Sequence, residues 1–337
     1  MTTEDAHHFL EEFTGEAAQE FLSLAPSGSS RINYIAKSSG KNYILTFNDN
    51  LAENESFFYF SKVFSELKLN TPHIFAISKD RKLYIQEFLG ALTLSEIIEK
   101  EGLTERTATL VQQTLEHLHH LQTASAGKID YSKTFEYERY DELPVTNDLF
   151  YFKSFIADVL EIPYHKSALL LEFKKLVSRL ENLKPQGLML RDFQSRNIMV
   201  NEADEVYFID YQAAMEGPLM YDVISFLFQA KANFPESFKN EMLNYYRSLW
   251  KDDKIKTELE ASVKIIQLIR YLQVLGAYGF RGLVQKKAHF TKSLAQGIEN
   301  LYHFSNEWED MKDYPELRKV INYLKTEEAK KKIEILS

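Results

Sequence analysis

Residues 188–200, LMLRDFQSRNIMV, enclose a polar segment between two apolar runs. A solvent-exposed loop would account for the polar residues but not for the apolar run on each side. A turn and another apolar run, VYFID, then lead to Asp210. If NIMV and VYFID pair as a hairpin, Asn197 and Asp210 lie at neighbouring strand ends, and Asp192 lies in the loop beside them.

These three side chains suit phosphoryl transfer. Carboxylate and amide oxygens are ligands for a hard cation such as Mg²⁺. The remaining carboxylate, on Asp192, can then orient an attacking hydroxyl. The spacing Asp-x-x-x-x-Asn, with two apolar residues and an Asp further along the chain, matches the catalytic loop and metal-binding Asp of protein kinases. Leu190 stands here in place of the kinase His, and Gln212 stands in place of the kinase Gly. The alternative is structural, because Asp and Asn are also common turn residues.

Composition limits the classes of partner. The 337 residues are 45% hydrophobic, contain no Cys and carry a net charge of −9, which argues against a broad nucleic-acid or anionic-membrane surface. The N-terminus, MTTEDAHHFLEEF, lacks the basic and apolar regions of a secretory signal. No apolar stretch is long enough to span a membrane. The sequence therefore predicts a cytoplasmic protein.

The hydrophobic pattern predicts an α+β chain. An amphipathic helix over residues 4–22 precedes two hairpins, formed by RINYIA with KNYILTF and by IFAIS with KLYIQEF, with the helix ENESFFYFSKVFSEL between them. From Leu92 onward helices dominate, and GLML, NIMV and VYFID are the only β signals. We predict a small antiparallel β-sheet lobe, residues 1–89, and a large helical lobe, residues 90–337, joined near Glu87–Gly90.

Six stretches follow one another over roughly residues 22–310, namely PSGSSRINYIA, ENESFFYF, YIQEFLG, LRDFQSRNIMV, VYFIDYQAAMEGPLMYDVISFL and RYLQVLGAYGFRG. In this order they resemble the aminoglycoside phosphotransferase and choline kinase-like branch of the protein-kinase fold. Within it, the chain is most similar to bacterial anomeric sugar kinases that phosphorylate N-acetylmuramate and N-acetylglucosamine at C1.

The resemblance implies ATP and Mg²⁺ as cofactors and assigns roles to individual residues. Asp192 is the expected catalytic base, Asn197 and Asp210 are the expected metal ligands, and buried Asp222 is expected to accept hydrogen bonds from the catalytic loop. The Gly/Ser loop would cover the ATP phosphates, and the backbone of Glu87 to Leu89 would contact adenine. The loop residues are Ser27, Gly28, Ser29 and Ser30.

Two departures from protein kinases follow from the same comparison. The strand that carries their lysine offers Thr46 here, and Leu190 removes a scaffold hydrogen bond. The resemblance suggests an Arg just after the Gly/Ser loop as the replacement for the lysine, and Arg31 fits that position, while Lys37 or Lys41 could also reach phosphate. The acidic partner of this cation would be Glu53 or Glu55.

The acceptor remains open at this point. Candidate contacts are Gln194, Arg196, Gln212 and the stretch YERYDE around Arg139 to Glu142. A sugar 1-phosphate product would suit cell-wall recycling through a downstream nucleotidyltransferase. The acidic charge also allows a cationic acceptor such as choline, another amino alcohol or an aminoglycoside, and the missing lysine allows a non-catalytic nucleotide-binding regulator.

One further cluster, His117, His119 and His120, lies on a predicted amphipathic helix. Spacings of two and three residues do not form a standard zinc site, so these side chains are predicted to lie on the helix surface.

Overall fold

The computed structural model describes residues 3–24, 31–229 and 231–336. Its strands are β1 (Glu20–Ser23), β2 (Ile32–Ser38), β3 (Lys41–Phe47), β4 (Ile74–Ile77), β5 (Leu83–Glu87), β6 (Leu92–Thr93), β7 (Gln186–Met189), β8 (Ile198–Val200), β9 (Val206–Phe208) and β10 (Met215–Pro218). Its α-helices are α1 (Thr3–Thr14), α2 (Leu51–Glu66), α3 (Leu94–Glu101), α4 (Glu105–Ala124), α5 (Glu142–Phe152), α6 (Lys166–Glu181), α7 (Met220–Leu227), α8 (Glu236–Ser248), α9 (Asp253–Gly279), α10 (Ala288–Glu307), α11 (Pro315–Tyr323) and α12 (Glu327–Leu336). The predicted α+β class is confirmed.

The chain forms two compact units. Unit 1 comprises Met1–Glu138 and Leu190–Met215, and unit 2 comprises Arg139–Met189 and Glu216–Ser337. Helices α5 to α12 belong to unit 2, and most strands belong to unit 1. The predicted lobe boundary near residue 89 stays a prediction. No helix among the described residues is long and apolar enough to cross a membrane.

A five-stranded sheet in the order β1-β2-β3-β5-β4 forms the first part of unit 1. Both predicted hairpins are confirmed: β2 pairs with β3 from Ile32↔Phe47 to Ser38↔Lys41, and β4 pairs antiparallel with β5. Ser39 and Gly40 between β2 and β3 have φ values of 51° and 72°. Positive φ at both turn residues suits a tight two-residue hairpin, because such turns match the twist of the strands.

The two faces of this sheet pack against different helices. Alternate side chains of the sheet form a buried cluster with α1, namely Ala6, Leu10, Tyr34, Ala36, Tyr43, Leu45, Leu83 and Ile85. The opposite face packs against α2, where the ring of Tyr84 lies 5.3 Å from Phe57 and 5.1 Å from Phe58 between centroids. This strict alternation fixes which residues of β2, β3 and β5 face α2, since a strand presents successive side chains to opposite faces.

The N-terminal helix is shorter than predicted, and two short strands were missed. The N-terminal helix ends at Thr14 instead of residue 22, because Gly15 adopts φ 77° and donates its N–H to the Glu11 carbonyl at 2.8 Å. The residues after it form β1, which pairs with β2. The short strands β6 and β10 were not predicted, because two residues in β6 and a Gly-Pro pair in β10 leave no alternating pattern to detect.

The predicted hairpin around residues 198–208 is confirmed. β8 pairs with β9 from Ile198↔Phe208 to Val200↔Val206, and β6 pairs with the other edge of β8. Gly90 approaches this sheet closely: a Cβ there would lie 2.6 Å from the Val200 carbonyl oxygen, and its φ is 122°. Only glycine fits this conformation without strain, so the segment after β5 is held against the hairpin that carries the site.

Candidate active site

A tight turn precedes Asp192. The Asp192 N–H donates to the Leu190 carbonyl at 2.8 Å, and Arg191 between them has φ 67°. Non-glycine residues rarely adopt this region, and such strain is concentrated at functional sites. The Asp192 side chain is half-buried, and within the described parts of the chain its carboxylate receives no hydrogen bond. The carboxylate is therefore available to a ligand.

Asn197 joins the other two predicted residues. Its Nδ2 donates to the Asp192 backbone carbonyl at 2.8 Å and to Asp210 Oδ2 at 3.3 Å. The Ile209 N–H in turn donates to the Asn197 carbonyl at 3.0 Å, which ties the two strand ends together. Asp210 has φ 63°, a conformation that Asp tolerates better than most residues. The hairpin thus brings Asp192, Asn197 and Asp210 together, as the sequence predicted.

Arg31 approaches the same carboxylate from the start of β2. Its Nη1 donates to Asp210 Oδ1 at 2.9 Å, and its Nη2 pairs with Glu53. The side chains of Arg31 and Glu53 are only 11% and 17% exposed. Burial disfavours the charge on Arg31, but nearby Tyr84, Asp210 and Glu53 outweigh it, so the pKa of its guanidinium is raised. Arg31 therefore stays cationic between two carboxylates.

The start of α2 positions Glu53. Asn50 caps the helix by accepting the Glu53 N–H at 3.3 Å, and Asn48 Nδ2 donates to Glu53 Oε2 at 2.8 Å. A carboxylate in the first turn is also favoured by the helix dipole. Glu55 instead pairs with Arg81 at half-exposed positions. Of the two predicted acidic partners, the structure brings Glu53 to Arg31.

The alternative cations lie elsewhere in the β2–β3 hairpin. Lys37 and Lys41 belong to the turn end, whereas Ile32↔Phe47 closes the other end beside Arg31. Six residue steps of extended strand correspond to about 20 Å. Lys37 pairs with Glu20 at 4.0 Å, and Lys41 is exposed. Neither lysine lies at the end of the hairpin where Arg31 contacts Asp210 and Glu53.

Thr46, at the position of the kinase lysine, belongs to a neutral row across the sheet. It is 1% exposed, donates to Asn33 Oδ1 at 2.7 Å and accepts from Gln86 Nε2 at 3.1 Å. The strand position therefore carries no charge.

The other predicted nucleotide contacts are only partly described. Ser27, Gly28, Ser29 and Ser30 lie outside the described residues. The Glu87 N–H donates to the His73 carbonyl at 2.9 Å, so this amide is already engaged. Leu89 is buried in the segment that follows β5.

The residues predicted to contact the acceptor, and Asp222, belong to both units of the chain. Gln194 is half-buried and Arg196 exposed in the turn before Asn197. Gln212 is 8% exposed, and its Nε2 donates to Asp210 Oδ1 at 3.0 Å. Arg139 lies in unit 2, where it pairs with Glu216 at 2.7 Å. Asp222 is fully buried in α7 of unit 2. The predicted roles of these five residues stay predictions.

Sequence reasoning missed two residues of the cluster. Asn48 holds Glu53, and the Ser56 hydroxyl donates to the Gln212 carbonyl at 2.8 Å. The N-cap pattern Asn-Asp-Asn before α2 was a signal for the first. Ser56 carries no comparable signal, because a Ser within a helix is expected to donate to the carbonyl four residues earlier rather than to a distant loop.

The histidine prediction is wrong for His117. This residue is half-buried, and its Nδ1 lies 3.3 Å from the Val206 carbonyl of β9. Burial lowers its pKa. His117 therefore helps to hold β9 against α4 rather than lying on an open surface.

A family model matches most of the chain. The model describes a phosphotransferase enzyme family, APH, and matches residues 22–256. No curated protein matches the chain.

Solved structures share the fold. The choline kinase LicA from Streptococcus pneumoniae has a TM-score of 0.59 and 14% identity, over 87% of this chain and 98% of that chain. A Plasmodium vivax ethanolamine kinase has a TM-score of 0.58 and 17% identity, over 85% of this chain and 82% of that one. A ternary complex of an aminoglycoside phosphotransferase, APH(4)-Ia, with ADP and hygromycin B has a TM-score of 0.53 and 16% identity, over 88% and 98%. These neighbours are kinase-like in fold.

Proposed function

We propose a reaction for this chain, which belongs to the phosphotransferase enzyme family: it transfers the γ-phosphoryl group of ATP to a hydroxyl of a small molecule. The favoured acceptor is the C1 hydroxyl of an N-acetyl amino sugar, N-acetylmuramate or N-acetylglucosamine. We further propose that the reaction takes place in the cytoplasm, with residues 1–89 covering the nucleotide and residues 90–337 supplying the acceptor site.

One observation carries this proposal. The Asn197 amide bonds both the Asp192 backbone at 2.8 Å and the Asp210 carboxylate at 3.3 Å. A single side chain thus links the expected base to the expected metal ligand. Phosphoryl transfer depends mainly on such positioning and on charge stabilisation, because its transition state is loose.

The donor set fits Mg²⁺. Because Asn197 donates through Nδ2, its Oδ1 remains as an oxygen ligand beside the Asp210 carboxylate. Within the part of the chain that the structure describes, no group of three or more His, Asp and Glu could hold a metal ion alone. This is expected for Mg²⁺, which is usually bound through one or two carboxylates together with substrate phosphates. When bound, the cation would neutralise charge on those phosphates.

The chain's own residues take the remaining roles. Asp192 accepts a hydrogen bond from the attacking hydroxyl, orients it towards the γ-phosphorus and takes up its proton late in the transfer. Its carboxylate need not be a strong base, because in a loose transition state the orientation of the hydroxyl matters more than the removal of its proton. Arg31 contributes positive charge to the phosphates. The backbone after β5, up to Leu89, and the Gly/Ser loop would hold the nucleotide.

The acceptor rests on the sequence resemblance. An anomeric hydroxyl is more acidic than an ordinary alcohol, which suits a weak carboxylate base. The product would be a sugar 1-phosphate, the type of substrate that a nucleotidyltransferase consumes.

A cationic acceptor is the second candidate. The names of the choline, ethanolamine and aminoglycoside kinases among the structural neighbours favour it. A non-catalytic nucleotide-binding regulator was suggested by the missing strand lysine. Arg31 weakens that reason, because it supplies a cation paired with Glu53 and Asp210.

The experiment is ³¹P NMR of the protein with ATP, Mg²⁺ and a panel of acceptors. The panel holds N-acetylglucosamine, N-acetylmuramate, galactosamine, choline and kanamycin. We expect a new anomeric phosphate signal that is absent with Asp192→Asn, while this variant still binds ATP. Transfer to choline or kanamycin would replace the proposed acceptor. ATP binding with no transfer to any acceptor would favour the regulator.

A further inference from the structure

Gln212 is buried against the Asp210 carboxylate. It is 8% exposed, and its Nε2 donates to Asp210 Oδ1 at 3.0 Å. Its Oε1 is buried and has no hydrogen-bond partner among the residues that the structure describes. Its backbone carbonyl accepts the Ser56 hydroxyl at 2.8 Å. A side chain placed in this way is poorly suited to contact an acceptor.

The hydrogen bonds divide the two oxygens of Asp210. Among the residues that the structure describes, Oδ1 accepts from Arg31 at 2.9 Å and from Gln212 at 3.0 Å, whereas Oδ2 accepts only the longer bond from Asn197 at 3.3 Å. A carboxylate oxygen has about two lone-pair directions. Oδ1 is therefore filled, and Oδ2 is the oxygen that remains for a cation. Gln212 holds the carboxylate in this orientation.

Helix α2 anchors both routes to Asp210. Glu53 reaches it through Arg31, and Ser56, three residues later on the helix, reaches it through Gln212. Residues three apart lie on the same side of an α-helix. Two paths within unit 1 therefore link Asp210 to α2, an ionic path through Arg31 to Glu53 and a neutral path through Gln212 to Ser56.

We propose that Gln212 and Ser56 are positioning residues that keep Asp210 Oδ2 turned towards the metal–nucleotide complex. This inference rests on the proposed function and replaces the acceptor contact that the sequence predicted for Gln212. Partners that orient a metal ligand typically contribute 10–100-fold to metal affinity or activity. The Gln212 side chain acts on Asp210 directly, whereas Ser56 acts by fixing the Gln212 backbone.

The variant Gln212→Met separates positioning from folding. Methionine keeps the length and approximate volume of the side chain and removes the amide donor. It also removes the buried, unpartnered Oε1, whose burial is unfavourable. The melting temperature should therefore stay the same or rise, while metal affinity falls. A merely structural role would lower stability and metal affinity together.

The test measures Mn²⁺ binding by electron paramagnetic resonance in the presence of AMP-PNP, with melting temperature measured in parallel. We expect Gln212→Met to weaken Mn²⁺ binding roughly tenfold and Ser56→Ala to weaken it less. The double variant should bind like Gln212→Met alone, because both residues act through one contact. Ser65→Ala is the matched control, a serine of the same helix whose hydroxyl contacts His73.

Three results would overturn the inference, in whole or in part, in distinguishable ways. Wild-type-like Mn²⁺ affinity in Gln212→Met, with Asp210→Asn still impaired, would refute positioning by Gln212 and leave the proposed function intact. Equal Mn²⁺ affinity in the wild type and Asp210→Asn would overturn the proposed metal site and, with it, this inference. An independent and additive effect of Ser56→Ala would remove Ser56 from the path.

Discussion

The replacement of Arg31 by methionine tests the proposal that Arg31 supplies the positive charge next to the ATP phosphates. Arg31 forms two charge-assisted hydrogen bonds, to Asp210 at 2.9 Å and to Glu53, and is 11% exposed. Such bonds contribute about 1.5–3 kcal/mol each, and we expect a charge-assisted contact between Arg31 and the ATP phosphates to fall in the same range. If Arg31→Met loses about 2.7 kcal/mol of this stabilisation in the transition state, kcat/KM for ATP falls about 100-fold, since each 1.36 kcal/mol is a factor of ten.

The effect on folding should be small. After the substitution Asp210 keeps its bonds from Gln212 and Asn197, and Glu53 keeps its bond from Asn48. We therefore expect the free energy of unfolding to fall by only about 1–2 kcal/mol, because each carboxylate retains a hydrogen-bond donor. For a chain of this length that corresponds to a fall in melting temperature of about 1–3 °C.

The assay is steady-state kinetics against ATP, with melting temperature as the control for folding. Lys37→Met and Lys41→Met are matched controls at the far end of the hairpin and should leave kcat/KM unchanged. Arg31→Lys should be intermediate, because an ammonium keeps the charge without the planar fork that reaches two carboxylates. An unchanged kcat/KM in Arg31→Met, or an equal loss in either lysine variant, would refute this reasoning.

Three further outcomes are expected. Asp210→Asn should abolish turnover and Mn²⁺ binding while ATP still binds weakly, measured by paramagnetic resonance and by calorimetry. Gly90→Ala should destabilise the fold by about 1–3 kcal/mol from its φ of 122° alone, with a further loss from the clash with Val200, and an unchanged urea midpoint would contradict this. Because burial lowers the pKa of His117, the folded chain binds its proton less readily than the unfolded chain does, so stability should fall as pH drops below about 6.5. Urea unfolding at pH 7.5 and 5.5 should show a smaller difference in His117→Gln than in the wild type.

The part of the site that the sequence predicts is the part that is local in the chain. Asp192, Asn197 and Asp210 lie within 19 consecutive residues, and the hairpin between them follows from alternation and turn chemistry. Their juxtaposition needs only the register of β8 and β9. Sequence reasoning is strong here, because both strands are flanked by clear turn residues.

The phosphate cation could not be chosen in the same way. The contact between Arg31 and Asp210 joins residues 179 positions apart, and although Arg31 fitted the expected position after the Gly/Ser loop, the sequence left Lys37 and Lys41 open as alternatives. The register of β2 and β3 separates them, since Lys37 and Lys41 lie at the turn end. Glu53 and Glu55 differ by two residues and so point to different sides of α2, which the hydrophobic pattern alone does not resolve.

Gln212 shows a third kind of limit. Gln212 lies two residues after Asp210, whose φ is positive. The direction of a side chain after such a residue cannot be read from strand or helix periodicity. The acceptor contact predicted for Gln212 stays a prediction, whereas its hydrogen bond to the Asp210 carboxylate is a contact that the sequence pattern could not indicate.

An arginine outside the strand solves a problem that a strand lysine would create here. Thr46 already satisfies Asn33 and Gln86 in a buried neutral row, so a charge at that position would have to be desolvated with its neighbours left unpaired. Arg31 directly precedes β2, and its guanidinium contacts Asp210 and Glu53 at the same time. Burying the cation between two carboxylates keeps its charge, as its raised pKa indicates. If Arg31 serves the ATP phosphates as proposed, its pairing with Glu53 in the first turn of α2 helps to place that positive charge.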